Sequence, residues 1–169
     1  MPIYMGIFEK PNVLARGLKG EVKAKGYEGW IELQSAQIAM GRHITSPTGR
    51  GSSREGTSPA LQEIVVTKLH DSVSAALFRE TVQGTGKLIV IVFAKDAATP
   101  YLRLVLQDTL ISSYSVSGHG GDSGTYSQPM ESLSLNFTTV TYETLPQSPD
   151  TTHSQMYQLS QQPSWSSYP

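Results

Sequence analysis

The chain has 169 residues and no cysteine, which suits one domain with its own core and excludes disulfides, thiolate metal sites and cysteine nucleophiles. Lysine and arginine number 13 against 14 aspartates and glutamates, and the net charge of −1 gives no electrostatic footprint for nucleic acid or an acidic membrane. Near-neutrality also leaves little repulsion between copies, which suits a self-associating subunit.

The first residues, MPIYMGIFEKPNVL, lack the basic and apolar regions of a secretory signal, and no later run reaches membrane-spanning length. The expectation is a protein made in the cytoplasm that leaves the cell, if at all, by a route that reads no N-terminal signal. Residues 30–38, between Gly29 and Gly41, begin as an alternating strand. Residues 61–69 form a second strand, with Ile64 and Val66 on one face. Residues 88–93 (LIVIVF) are almost wholly apolar, as in a strand buried on both faces. Residues 101–106 set Leu102, Leu104 and Leu106 against Tyr101, Arg103 and Val105. Residues 109–117 remain β-prone, and residues 131–142 set Leu133, Leu135 and Phe137 against Ser132, Ser134 and Asn136.

One segment reads as helix. Ser74 is suited to cap it, fair helix formers follow, and Gly84 and Gly86 stop it after about three turns. Residues 46–60 and 117–128 are Gly/Ser-rich loops, and a loop of the first length in a compact β domain is more often functional than idle. From residue 146 the chain turns polar, with residues 156–159 as a candidate last short strand. The expected organisation is a β domain over residues 1–145 and a polar tail over 146–169. About eight strands and one short helix predict a mainly β fold, a sandwich or barrel.

Three chemical motifs are weighed and set aside. Gly121-Asp122-Ser123-Gly124 matches the tetrapeptide around the nucleophile of trypsin-like proteases. It continues with Thr125-Tyr126, no histidine stands in the matching context, and the chain is short for a two-barrel protease. His70-Asp71 has the form of a phosphohydrolase metal dyad, but His43, His119 and His153 are scattered, and Asp71 fits the turn before the helix. The glycines at 118, 120, 121 and 124 lack the Lys-Ser/Thr of a phosphate-binding loop. No catalytic, metal or cofactor-binding residue is expected, and the chain is read as a structural protein rather than an enzyme.

Residues 19–35, KGEVKAKGYEGWIELQS, resemble the opening signature of the haemolysin-coregulated protein (Hcp) family of type VI secretion. The resemblance continues in order through Gly41-Arg42 and a long Gly/Ser/Arg loop, residues 63–68 with Asp71, the helix, residues 109–118 and residues 131–137. Residues 9–16 look like an insertion, and Ser74-Ala75 stands where the family often has Ser/Thr-Pro. The resemblance implies two packed antiparallel sheets in a barrel-like domain with one flanking helix. It also implies hexameric rings stacked into the inner tube of a contractile apparatus, with effector proteins in the lumen and spike and sheath proteins as partners. No nucleic acid, membrane insertion or cofactor is implied.

In that frame, the loop from Gly41 to Ala60 is expected to reach the adjacent ring, with Arg42, Arg50, Arg54 and Glu55 as its exposed charges. Ser35 and Gln37, at the polar end of a strand, are expected to face the lumen. Other readings are a phage-tail-tube-like subunit, a secreted β-sandwich binding module, and a serine hydrolase using Ser123.

Overall fold

The computed structural model describes residues 1–42, 44–45, 55–56, 60–96, 99–118, 120, 127–146, 155–160 and 165–168. In chain order the strands before the helix are β1 (Ile3–Lys10), β2 (Val13–Leu14), β3 (Ile31–Leu33), β4 (Ser35–Gln37), β5 (Met40–Gly41), β6 (Ile44–Thr45), β7 (Glu55–Gly56), β8 (Ala60–Leu61) and β9 (Ile64–Leu69). The helix α1 (Ser74–Gln83) follows. Then come β10 (Lys87–Ala94), β11 (Pro100–Ser117), β12 (Met130–Asn136), β13 (Thr139–Thr144), β14 (Gln155–Ser160) and β15 (Trp165–Tyr168).

All described pairings are antiparallel, and one 11-stranded sheet folds into two layers. The first layer runs β15-β14-β13-β11-β10-β1-β2, with β3 also on β1. The second runs β11-β12-β9-β4. The layers are continuous through β11, whose residues 102–107 pair with β13 and residues 110–117 with β12. The step between them falls at Asp108, a non-glycine residue at φ 48°, a conformation that short polar side chains tolerate. A second crossing lies at Gln34, between β3 on β1 and β4 on β9. The fold is therefore mainly β, barrel-like and flanked by one short helix.

The core fills the space between the layers. Met5, Ile7, Ile89, Ile91, Leu104 and Leu106 come from the first layer, and Ile64, Val66, Leu133 and Leu135 from the second. Each is 2% exposed or less, and full burial of one such side chain contributes about 1.5–3 kcal/mol. Leu77 of α1 is also fully buried, so the helix closes one flank. On the outer side of the first layer, residues 19–30 fold back over β1. Tyr27 stacks on Tyr4, and Trp30 meets Phe8 edge-on. Gly6 permits this cover, since a Cβ there would lie 2.6 Å from the Phe8 ring and 2.9 Å from Trp30.

Several expected boundaries change. Residues 61–69 divide into β8, which pairs with β5, and β9. Residues 131–142 divide at Phe137-Thr138, where the Thr138 N–H bonds the Gln107 carbonyl alongside the bend at Asp108. Residues 9–16 form the β1–β2 turn, with Asn12 at φ 63°, and bring Ala15 into the core. Ser74 is not the helix cap. It is the first helical residue, and Val73 precedes it without a side-chain cap. Its hydroxyl is drawn instead into a polar network, while the Asp71 carboxylate accepts the Val73 N–H. In the tail, β14 pairs with β13 and β15 with β14.

Candidate assembly site

The second layer has two unlike faces, as strand alternation requires. Inward stand Ile64, Val66, Leu133, Leu135 and Ile111. Outward stand Ser113, Ser115, Ser132, Ser134, Asn136, Val65, Thr67, Ser35 and Gln37, and none of them is charged. Their hydroxyls bond one another across the strands. Ser35 Oγ lies 2.6 Å from Thr67 Oγ1, and the Ser113 hydroxyl donates to Ser134 Oγ at 2.8 Å. Such pairs fix side-chain positions and keep capacity for one more partner each.

This layer also ends in two strands paired on one side alone among the described residues. β4 pairs only with β9, and β11 beyond Leu110 pairs only with β12. Edges of this kind are the usual route by which sheets join. Beside the β11 edge lies an apolar strip. Phe78 and Val82 of α1 are 57% and 71% exposed, Val116 is 57% exposed, and Phe78 meets the Tyr114 ring edge-on at 5.7 Å. Exposed side chains of this size in one place are a mark of an association surface.

One end of the layer is fixed by a buried ionic network. Lys68 on β9 and Glu131 on β12 are both 0% exposed, with Lys68 Nζ donating to Glu131 Oε2 at 3.0 Å. Lys68 also donates to Asp71 Oδ1, the Leu69 carbonyl and Ser74 Oγ. His70 Nδ1 lies 2.6 Å from Glu131 Oε1. Burial alone pushes the Glu131 carboxyl up, but hydrogen bonds from Ser74 and Lys68, the Lys68 charge and His70 outweigh it and hold it below the usual range. Burial, and then the adjacent Glu131, push the Tyr114 phenol up to about 12. His70 and Asp71 are thus engaged in a structural network. Among the described residues no three or more His, Asp and Glu converge to hold a metal ion.

At the opposite end the chain leaves the layer between β4 and β9 as an arm. Its stem is laddered by two short pairs, Met40↔Leu61 with Gly41↔Ala60, then Ile44↔Gly56 with Thr45↔Glu55. Arg42 is exposed at the base. Glu55 sits on the second pair, while Arg50 and Arg54 lie outside the described residues, as do Ser123 and its neighbours at 121–124. Ser35 and Gln37 stand on the hydroxyl face. Its other members are Ser113, Ser115, Ser132 and Ser134, which the Ser/Leu alternation of residues 132–135 marks in the sequence.

The match to known proteins covers both layers and the arm. Residues 12–143 fit the family described as "Type VI secretion system effector, Hcp". The chain belongs to the Hcp family. No curated protein matches it. Hcp1 from Salmonella typhimurium is 20% identical with a TM-score of 0.69, covering 94% of this chain and 93% of that one. A double mutant of Hcp1 from the E. coli EAEC 042 pathovar is 17% identical with a TM-score of 0.69, covering 95% and 99%. A type six secretion system protein reaches 0.73 at 20% identity, covering 94% and 95%. At such identities these likenesses are of fold. Hcp proteins are structural, secreted tube proteins, and the mainly β barrel-like fold is theirs.

Proposed function

We propose that this Hcp protein closes into a six-membered ring and that the rings stack into the inner tube of a type VI apparatus. The single observation that carries this reading is the second layer: a hydroxyl-rich face whose one charged neighbour among these strands is Glu63, bonded to Asn136 at its end, bounded by two edges that have no strand partner among the described residues. Joining the β11 edge of one copy to the β4 edge of the next is a heterologous contact, which makes a ring when its rotation closes. The layers would then merge into one wall. Phe78, Val82 and Val116 lie beside that seam and supply apolar area for it.

In such a ring the hydroxyl face lines the lumen, with Ser35 and Gln37 on it. The wall then meets an effector protein through hydrogen bonds and bridging water rather than through charge. The arm bearing Arg42, Arg50, Arg54 and Glu55 makes the ring-to-ring contact, and spike and sheath proteins meet the tube at its tip and outer surface. Export follows expulsion of the tube. Negative-stain microscopy of the purified chain tests the reading. Six-fold rings with an open centre are expected, and a field of single subunits contradicts it.

A further inference from the structure

The two layers treat their edges differently. In the second layer, residues 110–117 of β11 have β12 on one side alone, and β4 is likewise paired on one side, among the described residues. In the first layer β13 is not left in that state. It lies between β11 and β14, and its β14 partners run without a break from Thr139↔Ser160 to Thr144↔Gln155. All six residues of β13 are therefore laddered on both sides.

Left bare, β13 would be a strong template for another chain. Its sequence, TVTYET, is β-branched or aromatic at every position but one. At that one, the Glu143 charge is engaged, because the Arg103 Nε–H donates to its carboxylate at 2.6 Å. A β-prone edge without a free charge is the kind that pairs with a second copy. The net charge of −1 adds little repulsion against such pairing.

The same two C-terminal strands also finish the layer. β15 pairs with β14 over four residues, from Met156↔Tyr168 to Leu159↔Trp165. The sequence sets Pro163 two residues before β15 and Pro169 directly after it. Proline has no N–H to offer a ladder, and short edge strands are poor templates. The opposite edge of the layer is made of β2 and β3, of two and three residues.

We infer that β14 and β15 are an edge cover: they keep β13 from pairing with a second copy of this chain and leave the second layer as the route of association. The inference gives a role to residues 155–168, and it rests on the ring reading only for the seam that stays open. A ring closes when one kind of edge contact is offered, and a second bare edge would branch it.

The test uses the full chain with Val116→Asp, which removes the β11 seam, as background. Y157P/Q158P is then added. Successive residues of an antiparallel strand bond opposite neighbours, so this pair removes an N–H towards β13 whichever residue supplies it. V116D is expected to remain single chains, and V116D/Y157P/Q158P to associate into dimers and larger species, read by light scattering after size exclusion. Excess synthetic peptide of residues 154–169 is expected to return the latter to single chains by adding back the strands, and a scrambled peptide to have no effect. Single chains in V116D/Y157P/Q158P, or association that the peptide does not reverse, overturns the inference. Amide exchange of the unsubstituted chain is a second reading that needs no variant. Residues 139–144 are expected to exchange slowly throughout, and fast exchange at alternate positions overturns the inference. Should V116D itself remain in rings, the seam reading falls, and Y157P/Q158P in the wild-type background decides on the cover: larger particles support it, and unchanged particles overturn it.

Discussion

Lys68 and Glu131 face each other across β9 and β12 with Nζ and Oε2 3.0 Å apart, and neither side chain reaches solvent. The pair sits where the apolar core ends, and it joins β9, β12 and the entry to α1 through Asp71, His70 and Ser74. Two charges removed from water offset their desolvation only while each keeps the other. Removing one is therefore costlier than removing both.

Lys68→Met, which leaves the buried Glu131 carboxylate without its ammonium, is predicted to lower stability by about 3–5 kcal/mol; Glu131→Gln is predicted to cost less, because Lys68 Nζ keeps Asp71 Oδ1 at 2.8 Å. The double replacement by apolar residues, K68M/E131L, is predicted to recover most of that loss. Denaturant unfolding at fixed protein concentration measures all three. Equal and additive losses would mean that the two residues act independently.

The same carboxylate sets an acid limit. Its folded pKa lies below the ordinary 4.5, so the unfolded chain binds the proton first as pH falls. Stability from Glu131 is complete above about pH 4.5 and is lost as pH drops through the lower folded value. Unfolding free energy is predicted to fall steeply below that point in wild type, with a shallower slope in Glu131→Gln. Parallel slopes would remove Glu131 from the account.

Tyr114 sets the corresponding alkaline limit. Its phenol is raised from 10.0 to about 12, so the stability it contributes is intact below pH 10 and is lost as pH rises towards 12. Tyrosinate absorbance during alkaline titration is predicted to show one late-ionising group fewer in Tyr114→Phe than in wild type, where Tyr4 and Tyr27 are also raised.

Val116 separates assembly from folding. It is 57% exposed in the single chain and lies on the β11 edge opposite Glu131, so Val116→Asp is predicted to cost the monomer no more than about 1 kcal/mol. The same change is predicted to abolish rings, as seen by light scattering after size exclusion. Leu133→Ala is the contrasting control. It hollows the core and is predicted to cost about 2–5 kcal/mol without touching the seam.

Much of this was legible in the residues, because alternation is a strong signal where one face is buried. Ile64 with Val66, and Leu133 with Leu135, point inward as the pattern requires. The same parity placed Lys68 two residues beyond Val66 and Glu131 two before Leu133, on the inner face, although each alone reads as a surface charge. The bend at Asp108 was not legible, since a left-handed aspartate depends on tertiary pairing that local pattern does not encode. The arm's ladder was hidden for a related reason. Two-residue pairs in Gly/Ser-rich sequence carry no periodicity to detect. Ser74 misled because a cap residue and a buried network hydroxyl look identical in sequence, and the ammonium of Lys68 decided between them.

Native mass measurement of the purified chain tests whether a ring closes through the β11 and β4 edges, which have no strand partner among the described residues. A dominant species at six times the 18.4-kDa chain mass is expected, collapsing to single chains in Val116→Asp. A wild-type protein that remains monomeric or dimeric under the same conditions would contradict it.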